Sequence, residues 1–376
     1  MRVALHADQL WFATPGGIGT YVRELAPALV AEDPSLDLGL FRCRFSGDGP
    51  PSEWLERFAV TELPGSIRSL YPRWDVTARP RLPASFEDVD VVHATNPAGV
   101  PAARRGQALV VTIHDLAFHR FPERFPRSWR LLYRAGVRAA ARRADAIVVP
   151  SRATADDLQA FTKVDPAKVH VTPLAASLAV SSPDVDAALE RLGVPRPYVL
   201  FVGTLEPRKN LVPLIRAYRQ AAPDVPHALV LTGPDGWFIE ETDRELARPG
   251  PGTVVRTGRV SEDDLDALYR GADAFVYPSA DEGFGLPVLE ALARGVPTIT
   301  SEVPALRELA GDAAVLVEPG DVAQLAEALA RVLSDDTLAA DLRRRGPERA
   351  AGYTWVATAR ATLEVYRRAA AEAGAA

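Results

Sequence analysis

Cysteine and methionine are almost absent from this chain of 376 residues, which contains one of each. Because Cys43 has no second cysteine to pair with, an internal disulfide bond is excluded and a reducing compartment is expected. The polar residues His6 and Asp8 come too early for the apolar stretch of a secretory signal. No uncharged apolar run approaches the roughly 20 residues that a membrane-spanning helix needs. The sequence therefore predicts a cytoplasmic protein.

Acidic residues are scarce in one part of a chain that is acidic as a whole. The net charge is −6, but residues 1–178 carry +3 and residues 179–376 carry −9. Residues 120–143 contain eight arginines and a single acid, Glu123. This local density of positive charge indicates an anionic partner surface, whereas the acidic balance of the whole chain argues against nucleic acid.

Arginines recur every three or four residues between positions 127 and 142, which predicts one face of a helix over 127–143. Apolar side chains at 129, 132, 133 and 137 give this helix a second, apolar side. Two interpretations stay open: a solvated helix face, and a peripheral contact with an anionic membrane. The residues concerned are Arg127, Arg130, Arg134, Arg138 and Arg142, with Trp129, Leu132, Tyr133 and Val137.

Strand-like and helix-like segments alternate along the whole chain, which predicts an α/β protein with doubly wound parallel sheets. Residues 45–88 are rich in proline, tryptophan and arginine and are predicted to be irregular. Strands are predicted near 2–7, 36–43, 89–94, 108–114, 146–151, 169–174, 198–202, 227–232, 253–257, 273–278, 297–300 and 314–317. Helices are predicted near 17–32, 127–143, 153–163, 185–192, 210–221, 261–271, 286–294, 321–333, 336–345 and 354–373.

Two glutamates bracket a glycine-rich turn that leads from a buried strand into a helix. Backbone N–H groups at such a turn, together with the helix dipole, bind anionic oxygens. Glu282 and Glu290 stand at its two ends, where carboxylates suit the hydroxyls of a sugar or a ribose. The surrounding residues are apolar, and a buried carboxylate needs a partner. A sugar attached to a phosphate is therefore the first ligand to consider.

Two adjacent cations follow the predicted strand 198–202 and the glycine at its end, Gly203. Arg208 offers a planar fork and Lys209 a compact charge, and together they suit a diphosphate. Asn210 is predicted to cap the next helix. Near the N-terminus, Gly16, Gly17 and Gly19 open the first helix and permit a close approach of backbone to ligand.

Together these segments resemble glycosyltransferase family 4. Residues 112–116, followed by residues 121–125, resemble a branch of that family rich in mannosyltransferases. The resemblance covers nearly the whole chain. It implies the GT-B fold: an N-terminal acceptor-side domain (1–178), a C-terminal nucleotide-sugar domain (179–353) and a last helix (354–376) that packs on the first domain, with the ligand in the cleft. The segments that carry it are Gly203–Asn210, Leu231–Pro234, Gly258–Val260, Tyr277–Glu290, Pro15–Gly19 and Val111–Asp115.

The resemblance also assigns roles to single residues. Glu282 is expected at the hydroxyls of the transferred sugar and Glu290 at the ribose, while Arg208 and Lys209 stabilise the leaving diphosphate. His114 is expected at the donor sugar or near the acceptor, with Asp115 and Gly19 on the acceptor side. The further donor-binding candidates are Gly16, Gly17, Gly203, Arg259, Val260, Phe284, Gly285 and Leu286.

The resemblance implies a retaining hexosyltransferase that takes its sugar from a nucleoside diphosphate, with GDP-mannose favoured. No carboxylate is clearly suited to be a covalent nucleophile, so a same-face mechanism is expected. A GT-B phosphorylase, a sugar-nucleotide epimerase and a non-catalytic sugar-nucleotide-binding protein remain alternatives. The acceptor is a hydroxyl of a glycan, a lipid-linked sugar or a small molecule, for which residues 45–88 are a candidate contact.

No cofactor and no metal are expected. Three Asp-x-Asp pairs, at 88–90, 184–186 and 264–266, are interpreted as caps or solvated faces rather than metal ligands. No cluster of cysteine and histidine is evident in the sequence. His6, His93, His170 and His227 are interpreted as structural, and His119 is a weaker candidate than His114.

Overall fold

The computed structural model describes residues 1–45, 52–177 and 184–375. The chain divides into two compact units: unit 1 comprises Met1–Leu174 and Thr354–Ala376, and unit 2 comprises Ala175–Tyr353. The predicted domain boundary after residue 178 lies outside the described residues, as do residues 46–51 of the segment predicted to be irregular.

Unit 1 contains a seven-stranded sheet in which all neighbouring strands are parallel. The strand order is β3-β2-β1-β4-β5-β6-β7. The strands are almost wholly apolar in β4, β5 and β6, as expected for a parallel sheet covered on both faces. Their bounds are β1 Arg2–His6, β2 Asp37–Arg42, β3 Ala59–Glu62, β4 Val91–Ala94, β5 Ala108–Thr112, β6 Ala146–Val149 and β7 Val169–Val171.

The helices of unit 1 connect these strands. The terminal helix packs against the first helix and against β5. Its apolar residues Ala359, Leu363 and Val365 are buried, whereas Val356 is exposed. The bounds are α1 Gly16–Glu32, α2 Ser52–Leu55, α3 Ile67–Thr77, α4 Ala117–Arg120, α5 Arg127–Arg143 and α6 Arg152–Phe161, with α15 at Trp355–Gly374.

Unit 2 contains a six-stranded parallel sheet of order β10-β9-β8-β11-β12-β13. Its strands are β8 Tyr198–Val202, β9 Ala228–Thr232, β10 Val254–Gly258, β11 Ala274–Tyr277, β12 Thr298–Ser301 and β13 Ala314–Val317. Its helices are α7 Val185–Leu192, α8 Leu211–Ala221, α9 Glu240–Ala247, α10 Glu262–Gly271, α11 Leu286–Ala293, α12 Pro304–Ala310, α13 Val322–Ser334 and α14 Asp336–Ala350.

Each sheet has a point where the strand order reverses. In unit 1 it lies between β1 and β4, and in unit 2 between β8 and β11. Ligands of doubly wound sheets bind outside the carboxyl ends of the strands at this switch point. The fold thus directs attention to the loops after β1, β4, β8 and β11.

The prediction that residues 45–88 are irregular is wrong for much of the described part. This segment contains β3 and the helix α3, whose Leu70, Tyr71 and Trp74 are buried in the core of unit 1. Pro72 lies inside α3. A proline in a helix interior removes a hydrogen-bond donor, and the sequence pattern therefore gave no sign of this helix.

Three further helices, α4, α9 and α12, were not predicted, and α4 has only four residues. Helix α9 is short and begins with a run of acids, Glu240, Glu241 and Asp243, which suits a helix N-terminus but carries little apolar periodicity. Helix α12 has seven residues and begins at Pro304. Segments this short show too few turns for the helical period to be distinguished from a loop.

Candidate functional site

The two loops at the switch point of unit 2 carry the residues of the two strongest motifs. The first loop follows β8 and contains a short 3-10 turn, Pro207–Lys209. The second follows β11 and ends at Gly285, where α11 begins. A backbone hydrogen bond joins them, because the Ala280 N–H donates to the Arg208 carbonyl at 2.8 Å.

A close contact between two glycines fixes the start of the first loop. A Cβ atom on Gly233, at the end of β9, would lie 2.1 Å from the carbonyl oxygen of Gly203, so no side chain is possible there. The Gly233 N–H donates to the Gly258 carbonyl at 2.9 Å, which links the end of β10 to the same point. The glycines of these motifs therefore bring three strand ends together, as close backbone packing requires.

The side chains of the two loops form one buried network of ion pairs. Glu282 accepts from both cations: its Oε1 lies 2.6 Å from Lys209 Nζ and its Oε2 lies 3.0 Å from Arg208 Nη1. Glu206 accepts from the Arg208 guanidinium at 2.9 and 3.1 Å. Lys209 also donates to the Tyr277 hydroxyl at 2.5 Å. The predicted residues Arg208, Lys209 and Glu282 are thus brought together.

The protonation states in this network follow from burial and from the neighbouring charges. Burial opposes ionisation of Glu282, but Arg208 and Lys209 outweigh it and lower the pKa of this carboxyl to about 2. Burial and the charge of Arg208 lower the pKa of Lys209, while Glu282 and Glu206 oppose that change. Burial and Glu282 raise the pKa of Tyr277 well above its ordinary value, which keeps the phenol protonated.

Three features of this network were not predicted. Lys209 was not expected in the core, yet its side chain is only 8% exposed and lies against the Tyr277 ring. Asn210 stands at the N-cap position of α8 as predicted, but its side chain makes no capping hydrogen bond; its φ is +53° and its amide donates to the Pro278 carbonyl at 2.9 Å. Glu206 stands inside the recognised motif, but nothing in the sequence showed that it holds Arg208.

Glu290 lies on the other side of the glycine turn, in α11. The Tyr269 hydroxyl donates to Glu290 Oε2 at 3.0 Å. Gly285 has a φ of +105°, and a Cβ there would lie 2.4 Å from a Leu306 methyl group, so this turn requires glycine. Pro287, the second residue of α11, has no N–H, and the Val288 and Leu289 N–H groups both donate to the Gly285 carbonyl. The Leu286 N–H at the start of this helix is therefore the candidate donor to a ligand.

The remaining donor-side candidates of unit 2 lie near the same edge of the sheet. Phe284 is buried and packs edge-on against Tyr353. Arg259 and Val260 directly follow β10, and Arg259 is exposed. They stand where the resemblance expects main-chain contacts to a base.

In unit 1, the predicted glycines form the start of α1. Gly16 has a φ of +59° and, like Gly17, is exposed. Gly19 is buried, and a Cβ there would lie 2.3 Å from the Cβ of Pro15. Gly19 is therefore required by packing inside the first turn, while Gly16 and Gly17 leave backbone open at the helix N-terminus.

His114 follows β5 and is held by two contacts. Its Nε2–H donates to the Thr95 carbonyl at 3.0 Å, and its ring packs edge-on against Tyr21 at 4.9 Å. Burial lowers the pKa of His114 to about 4, so this imidazole is neutral near pH 7. Asp115 accepts from the Ala117 N–H at 3.2 Å and so begins the short helix α4.

His93, which was predicted to be structural, and His119, the weaker site candidate, both pack against named partners in unit 1. His93 is buried between the Tyr366 hydroxyl at 2.6 Å and the Thr112 hydroxyl at 2.7 Å, which joins α15 to the sheet. Burial lowers the pKa of His93 to about 3. His119 is half-buried and stacks on Phe161, and burial lowers its pKa to about 4.

The statement that the chain has no cysteine–histidine cluster is wrong at one place in the described residues. Donor atoms of His6, Asp8 and Cys43 lie within 4.8 Å of one another, because β1 and β2 end side by side. Asp8 accepts from the Cys43 N–H at 2.5 Å and from the Tyr71 hydroxyl at 2.8 Å, and His6 Nε2 lies 2.9 Å away. Asp8 is thus a buried acceptor of hydrogen bonds from the Cys43 N–H and the Tyr71 hydroxyl.

The Asp-x-Asp interpretation holds for two pairs and fails for one residue. Asp90 accepts from the Arg2 N–H at 2.7 Å, and Asp184 caps α7. Asp266, however, is buried and is neither a cap nor solvated. It pairs with Arg270 at 2.5 Å and with Arg294 at 2.7 Å, an arrangement that compensates its burial.

The basic helix α5 forms as predicted, but its two sides differ from the expectation. Arg130 is half-buried and donates to the Pro122 carbonyl, and Arg134 is also half-buried. The exposed face carries Arg127, Arg138 and Arg142. Val137 is buried, and Leu132 and Tyr133 pack against the core, so the exposed apolar residues are Trp129 (45%) and Leu131 (58%).

Profiles of known families match both halves of the chain. Residues 187–349 match the family described as Glycosyl transferases group 1, and residues 15–180 match Glycosyltransferase Family 4. A D-inositol 3-phosphate glycosyltransferase of Salinispora arenicola is 30% identical over 404 residues, covering 96% of this chain and 88% of the relative. The chain belongs to glycosyltransferase family 4.

Members of this family of enzymes include mannosyltransferases that match parts of the chain. The O-antigen chain mannosyltransferase B of Escherichia coli is 36% identical over 179 residues, 45% of each protein. A serotype-specific mannosyltransferase of Escherichia coli is 28% identical over 238 residues, which cover 60% of this chain and 29% of the relative. The chain thus spans less than half of the length of these two relatives.

Solved structures support the GT-B fold. The sucrose-phosphate synthase of Thermosynechococcus elongatus has a TM-score of 0.76 at 23% identity, covering 98% of both chains. HepE of Anabaena, solved with UDP and glucose, has a TM-score of 0.75 at 20% identity, covering 98% of this chain and all of that one. Over the part of the chain that the structure describes, no helix has the length and apolar character to cross a bilayer.

Proposed function

We propose that this protein transfers a hexose, with mannose favoured, from a nucleoside-diphosphate sugar to an acceptor hydroxyl and retains the anomeric configuration. The observation that carries this proposal is the ion-pair network of Arg208, Lys209 and Glu282 at the switch point of unit 2. Two cations at this position match a diphosphate, and a carboxylate beside them matches sugar hydroxyls.

The proposed mechanism follows from the negative charge that develops on the leaving diphosphate during the reaction. As the bond between sugar and diphosphate breaks, negative charge grows on the leaving oxygens. Arg208 and Lys209 stabilise that charge from fixed positions, with little reorganisation, because Glu206 and Tyr277 already hold them. Glu282, with a pKa of about 2, is ionised at neutral pH and accepts hydrogen bonds rather than donating a proton. The departing phosphate oxygen takes the acceptor proton.

Glu290 is the candidate for the ribose hydroxyls. Its carboxylate accepts a hydrogen bond from the Tyr269 hydroxyl at 3.0 Å and stands in the second turn of α11, the helix that follows the turn at Gly285. The helix dipole and the Leu286 N–H at the start of α11 favour an anion, which is consistent with a diphosphate between the two glutamates. In unit 1, the neutral His114 is a hydrogen-bonding candidate for an uncharged hydroxyl.

The donor base and sugar are part of the proposal. GDP-mannose is favoured by the mannosyltransferase-like segments 112–116 and 121–125 and by the mannosyltransferase relatives. HepE, in contrast, was solved with UDP-glucose, so UDP-hexoses belong in any donor test.

Unit 1 is proposed to bind the acceptor. The exposed face of α5 is proposed to contact an anionic membrane peripherally from the cytoplasmic side.

We further propose that catalysis needs no divalent metal, because Arg208 and Lys209, together with the helix N-terminus at Gly285, supply the positive charge that a metal would bring. The experiment is a panel of GDP-, UDP- and dTDP-sugars with and without EDTA, in which released nucleoside diphosphate is measured. Release from GDP-mannose that persists in EDTA supports the proposal. Consumption of UDP-sugars alone would overturn the choice of donor, and loss of activity restored by one metal would overturn metal independence.

The same panel separates the alternatives. A phosphorylase would release sugar phosphate when inorganic phosphate is supplied, and an epimerase would isomerise the donor without an acceptor. A binding protein would bind nucleotide but turn over no donor. Mass spectrometry of reactions with candidate glycan, lipid-linked and small-molecule acceptors would identify the glycosylated product.

A further inference from the structure

We infer that Glu282 competes with the diphosphate for Arg208 and Lys209. This competition lowers the affinity of the protein for the free nucleoside diphosphate that remains after the sugar has been transferred. This inference rests on the proposed function. It assigns Glu282 a second effect, on product affinity, in addition to its expected contact with the sugar.

The geometry makes Glu282 the shared partner of both cations. One carboxylate oxygen lies 2.6 Å from Lys209 Nζ and the other 3.0 Å from Arg208 Nη1. The Glu282 side chain is only 9% exposed, so these contacts are shielded from water. With Glu206 included, two cations face two carboxylates, and the formal charge of the network is zero.

A diphosphate that binds these cations must replace or share their bonds to Glu282. Charge-assisted hydrogen bonds of this kind are among the stronger ones in proteins, and a buried carboxylate left without a partner is unfavourable. The affinity of this site for an anion therefore depends on which hydrogen-bond donors the displaced Glu282 carboxylate gains in place of the two cations.

The donor and the product differ in what they offer. A sugar nucleotide carries hydroxyl donors that suit the Glu282 carboxylate once the phosphates occupy the cations. A free nucleoside diphosphate brings only further negative charge to this point. Glu282 is therefore expected to disfavour the product more than the donor, which helps release without weakening the transition state.

The cations have other contacts that keep them in place when Glu282 turns to the sugar. Arg208 is held by Glu206 and by the Asp281 carbonyl at 3.0 Å, and Lys209 by the Tyr277 hydroxyl. A Glu282→Gln variant removes the negative charge but keeps an amide oxygen that accepts hydrogen bonds. It should therefore leave the cations in position and free their charge for phosphate.

The test is isothermal titration calorimetry with the nucleoside diphosphate released in the donor panel. Glu282→Gln is expected to bind it about tenfold more tightly than the wild type, equivalent to about 1.4 kcal/mol. Glu290→Gln should weaken binding, because it loses the proposed ribose contact. Glu282→Asp keeps the charge and should stay within about threefold of the wild type. Glu302→Gln, which changes a partly exposed carboxylate paired with Arg307 in the same unit, is the matched control and should bind like the wild type.

Two results would overturn the inference. One is equal or weaker binding by a folded Glu282→Gln variant, with folding checked by its thermal transition. The other is an increase in affinity for the nucleoside diphosphate in Glu282→Asp that is as large as the increase in Glu282→Gln. Because Glu282→Asp keeps the negative charge, loss of that charge would then not be the cause. Failure of the proposed function has a different signature: the wild type would bind none of the nucleoside diphosphates even at millimolar concentration.

Discussion

Both sheets are parallel and have a switch point in their strand order, but the polar groups at their carboxyl edges differ in charge. In unit 2, the loops after β8 and β11 hold Arg208, Lys209 and Glu282 in a network of full charges. In unit 1, β4 contains His93 and β5 is followed by His114, and burial keeps both imidazoles neutral near pH 7. Parallel sheet topology alone therefore does not determine what an edge binds.

The charge at each sheet edge suits a different ligand. Fixed cations in a water-poor site act strongly on a diphosphate, whose charge increases in the transition state. Neutral imidazoles and the open backbone at Gly16 and Gly17 cannot do this, but they can hydrogen-bond an uncharged hydroxyl. The comparison predicts that charge changes in unit 2 affect catalysis most, and that those in unit 1 affect mainly stability and surface binding.

The largest effect is expected from removing the cations of unit 2. Arg208→Ala or Lys209→Met should each lower turnover by ~10²-fold or more, because each removes a charge from the leaving group. Methionine is chosen for Lys209 because that side chain is buried against Tyr277 and its aliphatic stem contributes to packing. Turnover of the proposed donor at saturation measures the effect.

Arg307→Ala serves as the control for the variants Arg208→Ala and Lys209→Met. It removes an arginine of the same unit that pairs with Glu302 at 2.5 Å and is well exposed, so its turnover should match that of the wild type. A folded variant with both Arg208→Ala and Lys209→Met that turns over at the wild-type rate would show that this network does not stabilise the leaving group.

A smaller effect, on stability rather than on turnover, is expected from the neutral histidines of unit 1. The pKa of His93 is about 3 in the folded protein and near 6.5 in an unfolded chain. The unfolded chain therefore binds the extra proton first, and stability is lost as pH falls below about 6. The loss from one such histidine is about 1.4 kcal/mol per pH unit until the folded pKa is reached.

His93→Gln tests this contribution, because glutamine can hydrogen-bond but does not titrate in this range. The variant is expected to be less stable than the wild type at pH 7, and its free energy of unfolding should fall less steeply between pH 6 and pH 5. Urea denaturation at several pH values measures the slopes. Equal slopes for the two proteins would mean that His93 accepts a proton in the folded state as readily as in the unfolded chain.

The smallest effect is expected at the basic helix of unit 1. Arg127, Arg138 and Arg142 are exposed in α5, which contains no acidic residue, and Leu131 is exposed among them. The protein should sediment with anionic vesicles at low salt and be released at high salt. Replacing the three arginines by glutamine should abolish sedimentation, and neutral vesicles are the control. No sedimentation with anionic vesicles at low salt would eliminate the membrane contact.

Much of the fold could be predicted because buried parallel strands are continuous apolar runs. All six strands expected in unit 2 form within one or two residues of their predicted ends, and β8 matches its range of 198–202. Helix α3 was missed because Pro72 interrupts its pattern, and α9 and α12 are too short to show a period. The strand β3 lies at the sheet edge and is only partly buried, so its sequence gives a weak signal.

In the candidate site, residue types were easier to predict than contacts. A motif shows that Arg208, Lys209 and Glu282 matter, but it does not show that Glu282 pairs with both cations in the absence of ligand. The pairing depends on how the loops after β8 and β11 meet, more than 70 residues apart in sequence. The His6, Asp8 and Cys43 cluster was missed for the same reason, because only the register of β1 and β2 brings these residues together.

The central claim, that unit 2 binds the diphosphate through its paired cations, is tested most directly by calorimetry with free nucleoside diphosphate on one variant from each edge. Arg208→Ala should lose at least about tenfold in affinity, whereas His114→Ala should bind like the wild type, because the free nucleotide lacks the transferred hexose that this histidine is proposed to contact. The account would be contradicted if Arg208→Ala bound the nucleotide as tightly as the wild type, or if His114→Ala lost as much affinity as Arg208→Ala.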